Sequence, residues 1–266
     1  MSVLAAFGAQ RTRPVLDYIY RLPLMPWICP PLHPELRRVL ENIGERTELG
    51  VGEMIYREDQ PVARFAVVER GMIARQLGAY NPGAEGQFAL ALPGNIATGN
   101  LNIFSGRPAA GSYRALQPSV VLSCPQEAFL SIVAKDPNLP RLLALQCELS
   151  GLSDRLSFAC LTLLKKDECL KALLLSWNLN YGRLSDGRVE APRILSRENI
   201  SGVLGCSLGW LDRITASWRR AGDLQPQGVT ESLSLKLLNE ANELLRSVEE
   251  PLSSMPRPAD IRQYWG

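Results

Sequence analysis

Between residues 46 and 125 a glycine or proline stops the chain every few residues: Gly50, Gly52, Pro61, Gly71, Pro82, Gly83, Pro93, Gly94, Gly106, Pro108, Gly111 and Pro118. Each such residue is costly inside a helix, so no helix of useful length fits this stretch. The segments left between them, 54–56, 64–69, 72–77, 87–91 and 119–123, are short and rich in β-branched, aromatic and aliphatic residues. Short strands joined by tight turns, closed into a compact all-β barrel or roll, are the expected outcome.

The flanks read differently. The first 35 residues carry Pro14, Pro23, Pro26, Pro30, Pro31 and Pro34 among apolar and aromatic side chains, which predicts an extended segment strapped onto a neighbouring surface. Leu36, Val39, Leu40 and Ile43 then recur at helical spacing. After Pro125 the pattern turns helical. Leu142, Leu149, Leu156 and Leu163 occupy one heptad position, with Leu145, Leu152 and Ala159 at the other. A stripe of this kind calls for a partner helix, so these seven residues are the expected dimer seam; packing on the chain's own β-rich domain is the alternative. Glu148, Ser153, Asp154 and Arg155 fall off the stripe, and Lys165 and Lys166 sit near its end.

Composition removes several classes of chemistry. His33 is the single histidine, which excludes most zinc-enzyme and histidine-base arrangements. Six cysteines are scattered without a C-x-x-C pair, so neither a metal site nor a cofactor is expected, and most of these thiols should be core. No apolar run approaches the roughly 20 residues of a membrane span, and no secretory signal is evident, so a cytoplasmic protein without membrane partners is the expectation. The net charge of +2 demands that any nucleic acid be met by a local basic patch. That patch lies between residues 192 and 222, where Arg193, Arg197, Arg213, Arg219 and Arg220 face only Glu198 and Asp212.

The same region is patterned for two packed helices. Ser196 is a suitable N-cap, and Ile200, Val203 and Leu204 form an inward face. Gly205 permits a tight turn, Ser207 caps a second helix, and Leu211, Ile214 and Trp218 bury it against the first. This is a helix-turn-helix pattern. Gly205 to Gly209 also satisfies G-x-S-x-G, but a nucleophile elbow needs a preceding strand and a later histidine, so no catalytic residue and no enzyme is expected.

Three stretches together resemble the CRP/FNR family of bacterial transcription regulators, over about residues 46–225. Gly52-Glu53-Met54-Ile55-Tyr56 with Val68-Glu69-Arg70-Gly71 is similar to the first strands of that family's cyclic-nucleotide-binding β-roll. The segment from Pro93 through Leu101 to Tyr113-Arg114-Ala115 is similar to its phosphate-binding cassette and the next strand, and Ile194 through Ser207 resembles its helix-turn-helix. The resemblance implies an α+β fold with an N-terminal β-roll, a long coiled-coil dimer helix and a C-terminal winged helix-turn-helix. It divides the chain into a Pro-rich segment and short helix (1–45), a β-roll sensor (46–135), a dimerisation helix (136–166), a DNA-binding domain (167–228) and a helical extension (229–266).

Departures from the family pattern shape the functional expectation. The effector pocket, Gly99, Asn100, Leu101, Ala109 and Ala110, is degenerate: Asn100, Ala109 and Ala110 stand where nucleotide-binding members carry Glu and an Arg-Ser pair. A buried phosphate without a cation is costly, so cyclic AMP should bind weakly or not at all. On the recognition helix Leu208 and Gly209 replace the usual base-reading pair, while Arg213 is retained to contact guanine. Ser196, Arg197, Ser207, Arg219 and Arg220 are expected at phosphates or nearby, and Trp210 either touches a thymine methyl or packs on a partner. The expected function is that of a homodimeric, sequence-specific regulator of transcription on double-stranded DNA, with RNA polymerase a further candidate partner. The competing reading is a family member that acts through protein contacts alone.

Overall fold

The chain is described here by a computed structural model covering residues 24–57, 59–77, 88–98, 102–109, 111–193, 195–249 and 257–265. Strands in residues 45–125 build two four-stranded antiparallel sheets. The first has the order β1 (Glu45–Leu49), β8 (Ser119–Pro125), β3 (Arg64–Arg70), β6 (Ile96–Thr98); the second runs β2 (Met54–Tyr56), β7 (Gly111–Ala115), β4 (Ile73–Leu77), β5 (Phe88–Ala91). Side chains alternate faces along a strand, and here both faces are covered. On β3, Ala66 and Val68 point into the core between the sheets, whereas Phe65 and Val67 point to the opposite side. There Phe65 stacks on Phe129 with ring centroids 4.3 Å apart. That outer layer consists of α1 (Pro34–Ile43), α2 (Gln126–Val133) and the first half of α3 (Leu139–Leu163).

Local chemistry fixes the turns. Gly71, between β3 and β4, has φ +89°, and a Cβ there would come within 2.6 Å of the Pro118 carbonyl oxygen, so only glycine fits. β1 escapes a hydrophobicity reading because four of its five residues, Glu45 to Glu48, are exposed. Its ladder to β8, from Glu45 opposite Ser123 to Leu49 opposite Ser119, makes it a strand.

The described part of the Pro-rich segment forms a strap; residues 1–23 of it lie outside the described residues. From Leu24 to His33 it crosses between β5, β6 and α3: Leu90 N–H donates to the Trp27 carbonyl (2.7 Å), and Cys29 N–H donates to the Leu90 carbonyl (2.8 Å). On its other side a polar stripe of α3 takes up its backbone. Ser157 Oγ accepts from Trp27 N–H (2.8 Å), Ser153 Oγ lies 2.5 Å and 3.0 Å from the carbonyls of Met25 and Ile28, and Gln146 accepts from His33 N–H (3.1 Å) and donates to the Pro31 carbonyl (3.0 Å). Buried backbone groups need such partners, and prolines leave the strap unable to ladder fully. Ser153, read from sequence as lying off the working face, is 5% exposed and central to this contact.

The leucine stripe of α3 is divided by the same packing. Leu142 joins the outer layer of the β-roll, and Leu156 joins the core shared with the C-terminal half; both are essentially inaccessible. These two cannot serve as seam residues, because their own chain covers them. Leu145, Leu149, Leu152 and Ala159 are half-buried, and Leu163 is 69% exposed together with Phe158 at 48%. The open apolar residues of α3 are therefore Leu163 of the heptad stripe and Phe158 beside it.

Beyond an extended break at Leu164, α4 (Lys166–Tyr181) is buried on nearly every side. Lys166 opens α4 and donates to the Leu204 carbonyl (2.6 Å), placing its charge at the end of a later helix. Residues 183–192 form a hairpin of β9 (Arg183–Ser185) and β10 (Arg188–Pro192). Positive φ at Asp186 and Gly187 gives the turn that an Asp-Gly pair favours. The third sheet runs β11 (Leu224–Gln227), β12 (Thr230–Ser234), β10, β9, so regular structure of the wing continues to Ser234, past a boundary at 228. The extension then starts with α7 (Leu235–Glu249), which packs on α4 and α3 through Leu237, Leu238, Ala241 and Leu245.

Candidate nucleic-acid interface

Two short helices precede the wing: α5 (Arg197–Leu204), which packs on α4 and against β5 of the roll, and α6 (Leu208–Arg220), which packs on α5 and on β11 of the wing. Ser196 Oγ accepts from the Asn199 N–H (3.0 Å) and Ser207 Oγ from the Trp210 N–H (3.2 Å), so both expected N-caps are made. Substituting a cap of this kind by alanine costs about 1 kcal/mol. Gly205 takes the left-handed conformation (φ 57°), and Ser201 bonds the Cys206 carbonyl across the turn (2.5 Å). Val203, Leu204, Leu211 and Trp218 are buried between the helices, with Ile200 and Ile214 packed beside them.

This packing decides what faces outward. Ser207, Leu208, Gly209, Asp212, Arg213, Ala216, Arg219 and Arg220 are exposed on one side of α6, and Ser196 and Arg197 are exposed at the start of α5. Arg197 is held by Asp212 at 2.5 Å, an exposed pair worth under about 1 kcal/mol. Among the described residues Arg213 and Arg220 make no ion pair, and both guanidinium groups are open to solvent. Trp210 is half-buried and packs beside the domain core.

The wing flanks this face. Its tip carries Gly228 with φ 63° and Val229 at 86% exposure, and Arg193 N–H donates to the Val229 carbonyl (2.9 Å). Arg193 also lies 3.8 Å from Glu231, whose carboxyl is pushed above its ordinary range by burial, with Arg193 and Arg219 opposing that shift. Arg188 was not singled out in the sequence, yet it organises the wing by bonding Ser232 Oγ and the carbonyls of Gly222, Asp223 and Ser232. The signal for it was the Asp-Gly turn immediately before it.

Of the expected effector pocket, Gly99, Asn100, Leu101 and Ala110 lie outside the described residues. Ala109 is 1% exposed in the core between the two roll sheets. Among the described residues no disulfide is formed, and burial raises the thiols of Cys29, Cys124, Cys147 and Cys169 to about 11 and that of Cys160 to about 12, which keeps them protonated near neutrality. No helix among the described residues is long and apolar enough to cross a membrane.

Comparison with known proteins agrees with this architecture. Residues 46–136 match the cyclic nucleotide-binding domain family. No curated protein matches the chain in sequence. Among solved structures, FixK2 from Bradyrhizobium japonicum superposes with a TM-score of 0.61 at 19% identity, covering 75% of this chain and 96% of that one. A CooA mutant from Carboxydothermus hydrogenoformans gives 0.59 at 16% identity, covering 85% and 98%. TTHA1359, a transcriptional regulator of the CRP/FNR family from Thermus thermophilus, gives 0.54 at 19%, covering 75% and 98%. A cyclic nucleotide-binding-type β-roll joined by a long helix to a winged helix-turn-helix is thus the architecture of this chain, and that is the fold of the CRP/FNR regulators.

Proposed function

We propose that the protein is a homodimeric, sequence-specific DNA-binding regulator of transcription that cyclic AMP does not control. The observation that carries the reading is the one-sided character of α6, where Leu211 and Trp218 are buried and Ser207, Arg213, Arg219 and Arg220 stand clear of the surface. A face of this shape and charge suits the major groove, with Arg213 placed for a guanine and Arg197, Arg219 and Arg220 for phosphates. The open apolar side of α3, with Phe158 and Leu163, supports pairing of two copies along that helix. Alanine at positions 109 and 110 offers a cyclic phosphate no charge, which supports independence from cyclic AMP.

Titrating a labelled random-sequence duplex at rising salt tests the reading. Three phosphate-contacting arginines on each of two protomers give about six neutralised phosphates, hence a slope of log K against log salt near −5. Cyclic AMP should leave the curve unmoved. Absent or salt-indifferent binding would favour the protein-contact reading, for which the 38% exposure of Leu208 at the front of α6 is the specific support.

A further inference from the structure

We infer that Arg193 and Arg219 form a binding site for one DNA phosphate where the wing meets α6, and that Glu231 beneath them is its positioning residue, taking up a proton from solvent when the phosphate draws the two guanidinium groups away. The inference deepens the DNA-binding reading and rests on it. Side chains alternate along β12, so Glu231 shares a face with Leu233, which is buried in one core with Leu211 and Trp218 of α6. Backbone hydrogen bonds anchor both arginines to this corner. Arg193 N–H donates to the Val229 carbonyl (2.9 Å), and Gly222 N–H donates to the Arg219 carbonyl (3.1 Å). The end of α6 is tied to β12 through Asp223, whose N–H donates to the Trp218 carbonyl (2.9 Å) and whose carbonyl accepts from Ser234 N–H (2.8 Å).

Two cations over one recessed carboxylate leave a surplus positive charge on the outer side. The Glu231 side chain is 19% exposed and that of Arg193 43%, and Arg219 stands open to solvent at the end of α6. At 3.8 Å the Arg193 Nε is too far from the carboxylate for a hydrogen bond, so the contact is a loose one that a phosphate oxygen can outcompete. Arg193 and Arg219 are the charged groups that bear on this carboxyl among the described residues: opposite Glu231 stand Ala191 on β10 and Pro226 on β11, and Arg188 bonds Ser232 on the other face of the sheet. Burial already raises the Glu231 carboxyl above its ordinary 4.5, and the two arginines oppose that rise. A phosphate that takes the arginines removes the opposition and brings a negative charge of its own, so the carboxyl holds a proton more tightly in the complex than in the free protein. DNA affinity therefore gains as pH falls through the value in the complex, and the gain is complete below the value in the free protein. Because the two arginines share one phosphate, the number of phosphates neutralised, and with it the salt slope, is unchanged.

The test titrates the full-length wild type and Glu231→Gln with a labelled random-sequence duplex at fixed salt, from about pH 7.5 to about pH 5.5, with circular dichroism confirming the fold at each pH. Wild-type affinity should rise about threefold or more over that range. Glu231→Gln keeps the shape of the protonated carboxyl without its charge, so it should bind about threefold or more tighter than the wild type at neutral pH and respond less to pH. Calorimetry in two buffers of different ionisation enthalpy should find more protons taken up by the wild type than by the variant; Asp212, paired with Arg197 on the same side of the domain, is common to both proteins and cancels in the difference. Arg193→Gln should weaken duplex binding about threefold or more. An equal pH response in the wild type and Glu231→Gln overturns the assignment, as does a Glu231→Gln protein that binds no tighter at neutral pH or an Arg193→Gln protein that binds as the wild type does. Duplex binding accompanied by any of those results removes this site and leaves the regulator reading standing, whereas absence of duplex binding in all three proteins removes both.

Discussion

Replacing Trp27 by alanine tests whether the strap is an integral part of the fold. Its indole is 1% exposed in the core that the β-roll, α3 and the C-terminal helices share. Truncating a buried tryptophan to alanine costs about 3–5 kcal/mol from lost burial and the residual cavity. Trp27 Nε1, however, is buried without an acceptor, a penalty of about 1–3 kcal/mol that disappears with the ring. The backbone φ of 62° is retained by alanine, so that strain stays the same on both sides. The central values leave a net loss of about 2 kcal/mol. Trp27→Phe, which keeps much of the ring and removes the orphan N–H, should stay within about 1 kcal/mol of the wild type. Urea unfolding followed by far-ultraviolet circular dichroism gives the energies, and hydrogen exchange should show the Leu90 amide, donor to the Trp27 carbonyl, losing protection in the alanine variant. An alanine variant within about 0.5 kcal/mol of the wild type would refute the reasoning, since that is the range of surface substitutions. So would a phenylalanine variant as damaged as the alanine one.

Other consequences are more local. Arg213→Ala should weaken specific duplex binding by about 1–3 kcal/mol and relax preference at one base position, read by competition between single-base variants of the site; an unchanged profile would remove Arg213 from base reading. Phe158→Asp places a charge on the open face of α3 and should yield monomer by light scattering, whereas a retained dimer mass would move the seam elsewhere. His33 is buried, its Nδ1 accepts the Glu35 N–H, and burial lowers its pKa below the ordinary 6.5, so the folded state binds fewer protons than the unfolded one. Stability should therefore hold above pH 6.5 and decline as pH falls through the lowered value; His33→Asn, which can still cap α1, should flatten that decline, and an equal slope in both proteins would exclude His33 as its source.

Legibility in the sequence followed the strength of local signals. The β-roll announced itself through spaced glycines and prolines, and α5 and α6 through Ser196, Gly205 and Ser207, because capping and turn chemistry act over a few residues. What the heptad pattern concealed was which side of α3 the chain keeps for itself. Leu142 and Leu156 obey the seven-residue spacing yet are covered by the chain's own packing, since periodicity reports an apolar face without saying what covers it. Gln146, Ser153 and Ser157, spaced as one helical face, read as ordinary polar residues until the strap supplied the backbone groups they satisfy. The ion pair between Arg75 of β4 and Asp154 of α3 was unreadable for a related reason: the two lie 79 residues apart, and only the tertiary fold brings them together.

The central claim, that α6 reads DNA, is most directly tested by selecting bound sequences from a random duplex library with the purified protein. The account predicts enrichment of a palindromic site whose half-sites lie about 34–36 Å apart, one turn of the double helix, as the two-fold symmetry of a dimer requires. Recovery of an unenriched pool, with no site preferred after repeated rounds, would contradict it.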